Sequence, residues 1–184
     1  MNPLVGGILW GAAAGAAGTT ALNATSYLDM TARGRPTSST PEDTVEALSS
    51  KIHIEVPGEG ETRDNRVAGL GPLSGLIAGV GIGALLGLAR AAGWRPTPVV
   101  GIAVATFSAL LGGNGPMTVL GVTDPRTWPP SAWVADIVPH LSYGVVTALV
   151  LDRLDPAPPA ARWERLSHDL KRAKEFGLDH APRR

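Results

Sequence analysis

The chain has 184 residues, sixteen basic against sixteen acidic side chains, no cysteine and a mean hydropathy of +0.11. That length suits one domain, and the missing cysteine excludes disulfides and thiolate metal sites. The mean polarity is mild but unevenly distributed: residues 4–28, 67–89 and 96–123 carry no charged side chain.

A hydrocarbon core of about 30 Å needs roughly 20 helical residues, so each of these runs is long enough to span a bilayer. Helices are the form to expect, because strand-like alternation is absent and an unpaired backbone amide in lipid is very costly. The first span is predicted over about 4–28. The first basic residue is Arg33 and no small-x-small cleavage site follows the apolar run, so this segment reads as a retained helix rather than a signal peptide. Gly7, Gly11 and Gly15 recur every four residues, and Thr19, Asn23 and Tyr27 continue that ridge.

A polar loop, 31–66, comes next. Its "RGRP" at 33–36 matches the core of a minor-groove DNA binder, but the flanking basic residues are missing and a bilayer is adjacent. It reads as a juxtamembrane basic turn, and no nucleic-acid partner is expected. In "SSTPEDTVEAL", Thr40 stands as a cap, Pro41 at the first helical position and Asp43 as the capping-box acid, predicting a short surface helix over about 41–50.

The second span, about 67–90, carries Gly71, Gly75, Gly79, Gly83 and Gly87 at a spacing of four. Its "GVGIGALLG" and "GLGPLSG" mimic nucleotide fingerprints, yet neither follows a strand in a βαβ unit, so packing is the better reading. After a short Arg-Pro turn, the third span, about 97–120, offers Gly101, Ala105, Ala109 and Gly113. The fourth, about 132–152, has an uncharged run, Ile137–Leu151, of only 15 residues, or about 22 Å of helix. To cross, it must carry Asp136 to one headgroup region and Asp152 to the other, with Trp128 and Trp133 as interfacial anchors. Gly144 and Ala148 supply its small face. Ridges of small residues let backbones approach closely, which in lipid is a main source of association energy.

The sequence thus predicts an all-α polytopic membrane protein: a four-helix transmembrane domain over 1–154, with the surface helix in its first loop, and a linker and tail over 155–184. In the tail, Trp163, Leu166, Leu170 and Ala173 form one apolar stripe among basic residues, as expected of an amphipathic helix for a lipid surface or a partner. Four spans put both termini on one side, which holds ten Lys or Arg (Arg90, Arg95 and eight from Arg153 onward) against six on the other. The positive-inside rule then predicts cytoplasmic termini. Arg outnumbers Lys 13 to 3 beside abundant Ala, Gly and Pro, a composition in keeping with a high-GC bacterial genome.

Antiparallel tracing gathers polar residues at one end: Asn23, Tyr27 and Asp29 from the first helix, Arg66 ahead of the second, Asn114 from the third, and Asp136, His140 and Tyr143 from the fourth. Asp136 and His140, four apart, share a helical face, and Pro139 removes one backbone hydrogen bond between them. Ionisable residues in a span usually face the bundle interior or a watery cavity. Two readings follow: hydrogen-bonded glue between helices, or a proton-responsive vestibule. The remaining histidines, His53, His168 and His180, lie in polar segments and make no three-ligand metal set.

Residues 121–144, "GVTDPRTWPPSAWVADIVPHLSYG", resemble the last loop and helix of the YagU-like uncharacterised bacterial inner-membrane proteins. The matching positions are Gly121, Thr123, Pro125, Trp133, Asp136, His140, Leu141 and Tyr143. Asp136 stands where that family carries Glu, and Pro139 where it carries Gly. The resemblance implies an inner-membrane location and a pairing of Asp136 with His140, and it implies no reaction. No nucleophile-base-orienter set, metal motif or cofactor motif appears. The expected function is a non-catalytic accessory, assembly or stress-related role in the plasma membrane. Its expected partners are the lipid bilayer and a second copy or another membrane protein. The alternative is a proton-coupled transporter or channel using Asp136 and His140.

Overall fold

The computed structural model describes residues 2–155, and the tail stripe of Trp163, Leu166, Leu170 and Ala173 lies outside them. Helix α1 spans Pro3–Arg33, α2 Thr40–Ile52, α3 Gly60–Ala91, α4 Pro98–Val119 and α5 Pro130–Leu154, with a 3-10 turn at Pro125–Thr127 before α5. Among the described residues there is no strand. Four helices, α1, α3, α4 and α5, are long and apolar enough to cross a membrane. The chain is an integral, multi-pass membrane protein.

The helix ends follow local chemistry. The Asn2 side chain accepts from the Leu4 amide at 2.9 Å, Pro3 occupies the first turn, and Gly34 closes α1 in the left-handed region at φ 63°. Thr97 caps α4 in the same way, ahead of Pro98. Past α3, Gly93 takes φ 100°, which lets the Trp94 amide reach back to the Ala89 carbonyl at 2.9 Å. Helices α1, α3 and α5 extend beyond the apolar runs that mark their spans, because backbone hydrogen bonds continue a helix into water without further cost once it is nucleated. In α2 the cap is Ser39 rather than Thr40: Thr40 is already helical, and the Ser39 hydroxyl donates to Asp43 at 2.9 Å.

The longest interface joins α1 to α3, running antiparallel. A Cβ built on Gly7 would lie 2.6 Å from the Gly87 carbonyl oxygen, and one on Gly15 would lie 2.5 Å from that of Gly79. Gly11, Gly83 and Gly87 are as closely seated against the opposite backbone. The two ridges therefore interlock, and the helices touch along bare main chain. Gly18 leaves room for Tyr143 and Thr147 of α5, while Gly144 of α5 seats against Thr106 and Ile102 of α4. Tyr143 is fully buried beside Ala105 and Ala109, with Leu22, Ile82 and Leu86 packed around them.

The ridge of α3 divides in function. Gly79, Gly83 and Gly87 meet α1, whereas Gly71 seats Glu42 of α2, 3.0 Å from where its Cβ would stand. Gly75 faces open space, with no atom within 4 Å of a built Cβ. The i to i+4 pattern expected Gly71 and Gly75 to continue one span-to-span contact. They do not, because two straight helices that cross at an angle stay close for only a few turns. Beyond Gly79, α1 turns its small face to α5 and α3 diverges, so residues 72–77 are exposed.

Candidate functional site

Asn114, Asp136 and His140 come together between α4 and α5. The Asn114 amide donates to Asp136 Oδ2 at 2.8 Å. His140 Nδ1 lies 2.7 Å from the Asp136 main-chain carbonyl, which can only accept, so Nδ1 carries a proton. The same nitrogen is 3.3 Å from Asp136 Oδ1, and both side chains are mostly buried. In the neutral ring the lone pair is then on Nε2, which faces Gly113 of α4: a Cβ there would stand 3.3 Å from it. Pro139, between Asp136 and His140, has no amide to bond the Ala135 carbonyl, and the helix continues through it.

Tyr143 does not join this group. It sits one turn deeper, where its hydroxyl donates to the Gly79 carbonyl at 2.7 Å. That bond ties α5 to the middle of α3 through an oxygen that the glycine leaves accessible. The four remaining members of the predicted cluster are elsewhere. Asn23 and Tyr27 are exposed on the outer side of α1. Asp29 is held by Arg33 at 2.6 Å and Arg35 at 2.5 Å. Arg66, near the start of α3, donates to the Pro57 carbonyl of the preceding loop at 2.6 Å. Tracing by depth placed these residues at the correct level, but helix rotation turned them away from α5. The polar link from α1 to α5 is instead Thr25, 2.9 Å from Ser142 Oγ. Its signal in the sequence was weak, since a lone Thr or Ser in a span usually bonds its own i−4 carbonyl, as Thr25 also does.

Outside the spans, Arg63 grips Glu46 of α2 with both guanidinium nitrogens. That hydrogen bonding holds the Glu46 carboxyl below its ordinary value of 4.5. Arg126 likewise lowers Asp124 in the turn before α5. Trp128 and Trp133 stack at 5.1 Å with tilted planes, and Trp128 donates to Thr123 at 2.8 Å, giving the start of α5 a rigid aromatic collar. Among the described residues no group of three His, Asp or Glu side chains is placed to hold a metal.

At the opposite end, two ion pairs absent from the sequence expectations close the bundle. Arg90, at the end of α3, reaches Asp152 at the end of α5, and Arg95 reaches Asp155 at 3.0 Å. The signal was present: Arg90 and Asp152 each end an apolar run, Arg95 and Asp155 lie a few residues beyond them, and antiparallel tracing brings those ends to the same level.

No protein-family model, curated protein or solved structure matches this chain.

Proposed function

We propose that this protein is a non-catalytic membrane component, acting as an accessory or assembly factor through its outward surfaces. The observation that carries this reading is the containment of Asn114, Asp136 and His140 within the bundle. One bond crosses between helices, from the Asn114 amide to Asp136, at roughly 0.6 kcal/mol, and His140 bonds the Asp136 carbonyl within α5. Gly79, Gly83 and Gly87 of α3 and the facing glycines of α1 are likewise taken up inside the chain, so partner contacts fall on other faces, residues 72–77 of α3 among them. The resemblance of residues 121–144 to the YagU-like inner-membrane proteins supports a bacterial plasma-membrane location, and the charge count supports cytoplasmic termini.

Photocrosslinking in cells from positions on α2 and on residues 72–77 of α3 tests the proposal. Capture of one defined membrane partner or of a second copy is the expected result. Recovery of monomer and lipid alone from every position would refute it.

A second reading, proton-coupled movement of a small solute, draws on the 3.3 Å approach of His140 to Asp136 and on the lone pair left at Nε2. Under that reading Asp136→Asn abolishes a pH-driven flux in proteoliposomes while the fold persists, and an unchanged flux removes it.

A further inference from the structure

Helix α3 is held at two places and bare between them. From Gly79 onward it is locked to α1 by facing glycines, and the Tyr143 hydroxyl of α5 donates to the Gly79 carbonyl at 2.7 Å. Ahead of Pro72 it carries α2: Glu42 seats against Gly71, Arg63 grips Glu46, and Arg66 donates to the Pro57 carbonyl of the connecting loop. Residues 72–77, in between, are all exposed. Six successive residues at 3.6 per turn pass more than once round a helix, so no side of this segment is sealed by protein. It starts about 8 Å inside the uncharged run that opens at Val67, and lipid tails surround it there.

The same stretch is weakly built as a helix. "GLGPLSG", residues 69–75, sets three glycines and a proline in seven positions. Pro72 has no amide for the Ala68 carbonyl, and each glycine lowers helix propensity. The Ser74 hydroxyl donates to the Gly71 carbonyl at 2.7 Å, a side-chain bond of the sort that bends helices. Sharp bends arise at Pro and at Gly/Ser pairs. Packing explains Gly71, which seats Glu42, but gives no reason for Gly75, whose built Cβ meets nothing within 4 Å. Pro139 of α5 is the contrast: it is buried, so the neighbouring helices fix whatever bend it introduces. Around Pro72 nothing among the described residues fixes the angle.

The geometry points to a hinge in α3 at residues 72–77, on which α2 and the first turns of α3 swing as one arm against α1, α4 and α5. The arm moves as a unit because the Arg63–Glu46 pair, the seat of Glu42 on Gly71 and the Arg66 bond to the loop join its parts. Helix α2 lies chiefly along α3 and touches α4 only lightly, so little opposes the swing. The motion widens and narrows the gap that opens between α1 and α3 beyond Gly79. Hinges of this kind move in microseconds to milliseconds. This assignment is independent of whether the protein is an assembly factor or a transporter.

The chain has no cysteine, so spin labels attach only where a cysteine is introduced. Pulsed electron–electron resonance on the full chain in lipid nanodiscs then reads the distance distribution of three exposed pairs. Asp64→Cys with Leu28→Cys spans the hinge, because Leu28 lies on the part of α1 that Thr25 ties to Ser142 of α5 at 2.9 Å. Leu9→Cys with Leu85→Cys reports the interlocked half, and Ser50→Cys with Asp64→Cys reports the arm alone. From Pro72 to Asp64 is about 12 Å of helix, so a swing of about 20° carries the label about 4 Å. The first pair should be broader than the other two by about that amount. Pro72→Ala with Gly75→Ala restores an amide and adds a methyl group in open space at residue 75. It should narrow the first pair to the width of the second and leave the second unchanged. A first pair as narrow as the second in the unaltered helix, an arm pair as broad as the first, or a first pair untouched by the double substitution would each overturn the hinge.

Discussion

At the Arg90 end of the bundle, α1 and α3 lie with backbones in contact, and the charges that close this end reach between α3 and α5. At the Asp136 end, α3 has left α1, a short extramembrane helix fills part of the gap, and most ion pairs bind residues close in sequence. The first end is dry and geometric; the second is polar and local. The contrast indicates where this protein can tolerate change: small residues are irreplaceable only where two main chains meet, and a glycine in the same register a few turns away is merely spacing.

The sharpest way to break that contrast is a pair of substitutions on one helix. Gly83→Leu forces a Cβ to within 2.5 Å of Gly15 Cα. It should cost about 3 kcal/mol or more, since overpacking against main chain has no rotamer escape. Gly75→Leu, one ridge position beyond Gly79 and facing open space, should change stability by no more than about 0.5 kcal/mol. Thermal melts in detergent measure both, and equal losses would refute the division of the α3 ridge. Next in size, Tyr143→Phe removes the bond to Gly79 at the point where the helices diverge. The expected loss is about 1 kcal/mol, with the buried Gly79 carbonyl left without its tyrosine donor. A smaller effect is expected from Asn114→Ala, about 0.6 kcal/mol, because Asp136 keeps the nearby His140 ring. Asn23→Ala should be silent in the same melts, and a loss matching that of Asn114→Ala would return Asn23 to the cluster.

The smallest effect concerns α2. Glu46 is held below its ordinary pKa by Arg63, so its contribution to docking is full above the ordinary carboxylate range and is lost as pH falls through the lowered value. The protection factors of the α2 amides, with the intrinsic pH dependence of exchange divided out, should therefore fall on acidification while the spans stay protected. Glu46→Gln should remove most of that dependence, and α2 protection factors identical at neutral and acid pH would count against the clamp.

Much of this architecture was legible from residue order. Spans show themselves because lipid demands about 20 apolar residues per crossing. The start of the surface helix was visible to within one residue in Thr40-Pro41, because capping acts within a few residues. The pairing of Asp136 with His140 was visible too, since residues four apart on a helix face each other whatever surrounds them. Legibility failed where an outcome depended on rotation about a helix axis. Asn23 and His140 have comparable depth, but a turn of α1 sends one outward while the other faces α4.

Residue order by itself determined that this chain is helical, that it enters the bilayer four times, and that its helices carry ridges on which close packing is possible. The tertiary structure decided which glycines meet, that the Tyr143 hydroxyl reaches a carbonyl 64 positions away, and that Arg90 closes on Asp152. The reason is range: hydrophobicity, capping and i to i+4 spacing act within a few residues, whereas tilt and rotation are fixed only when every helix packs against the others.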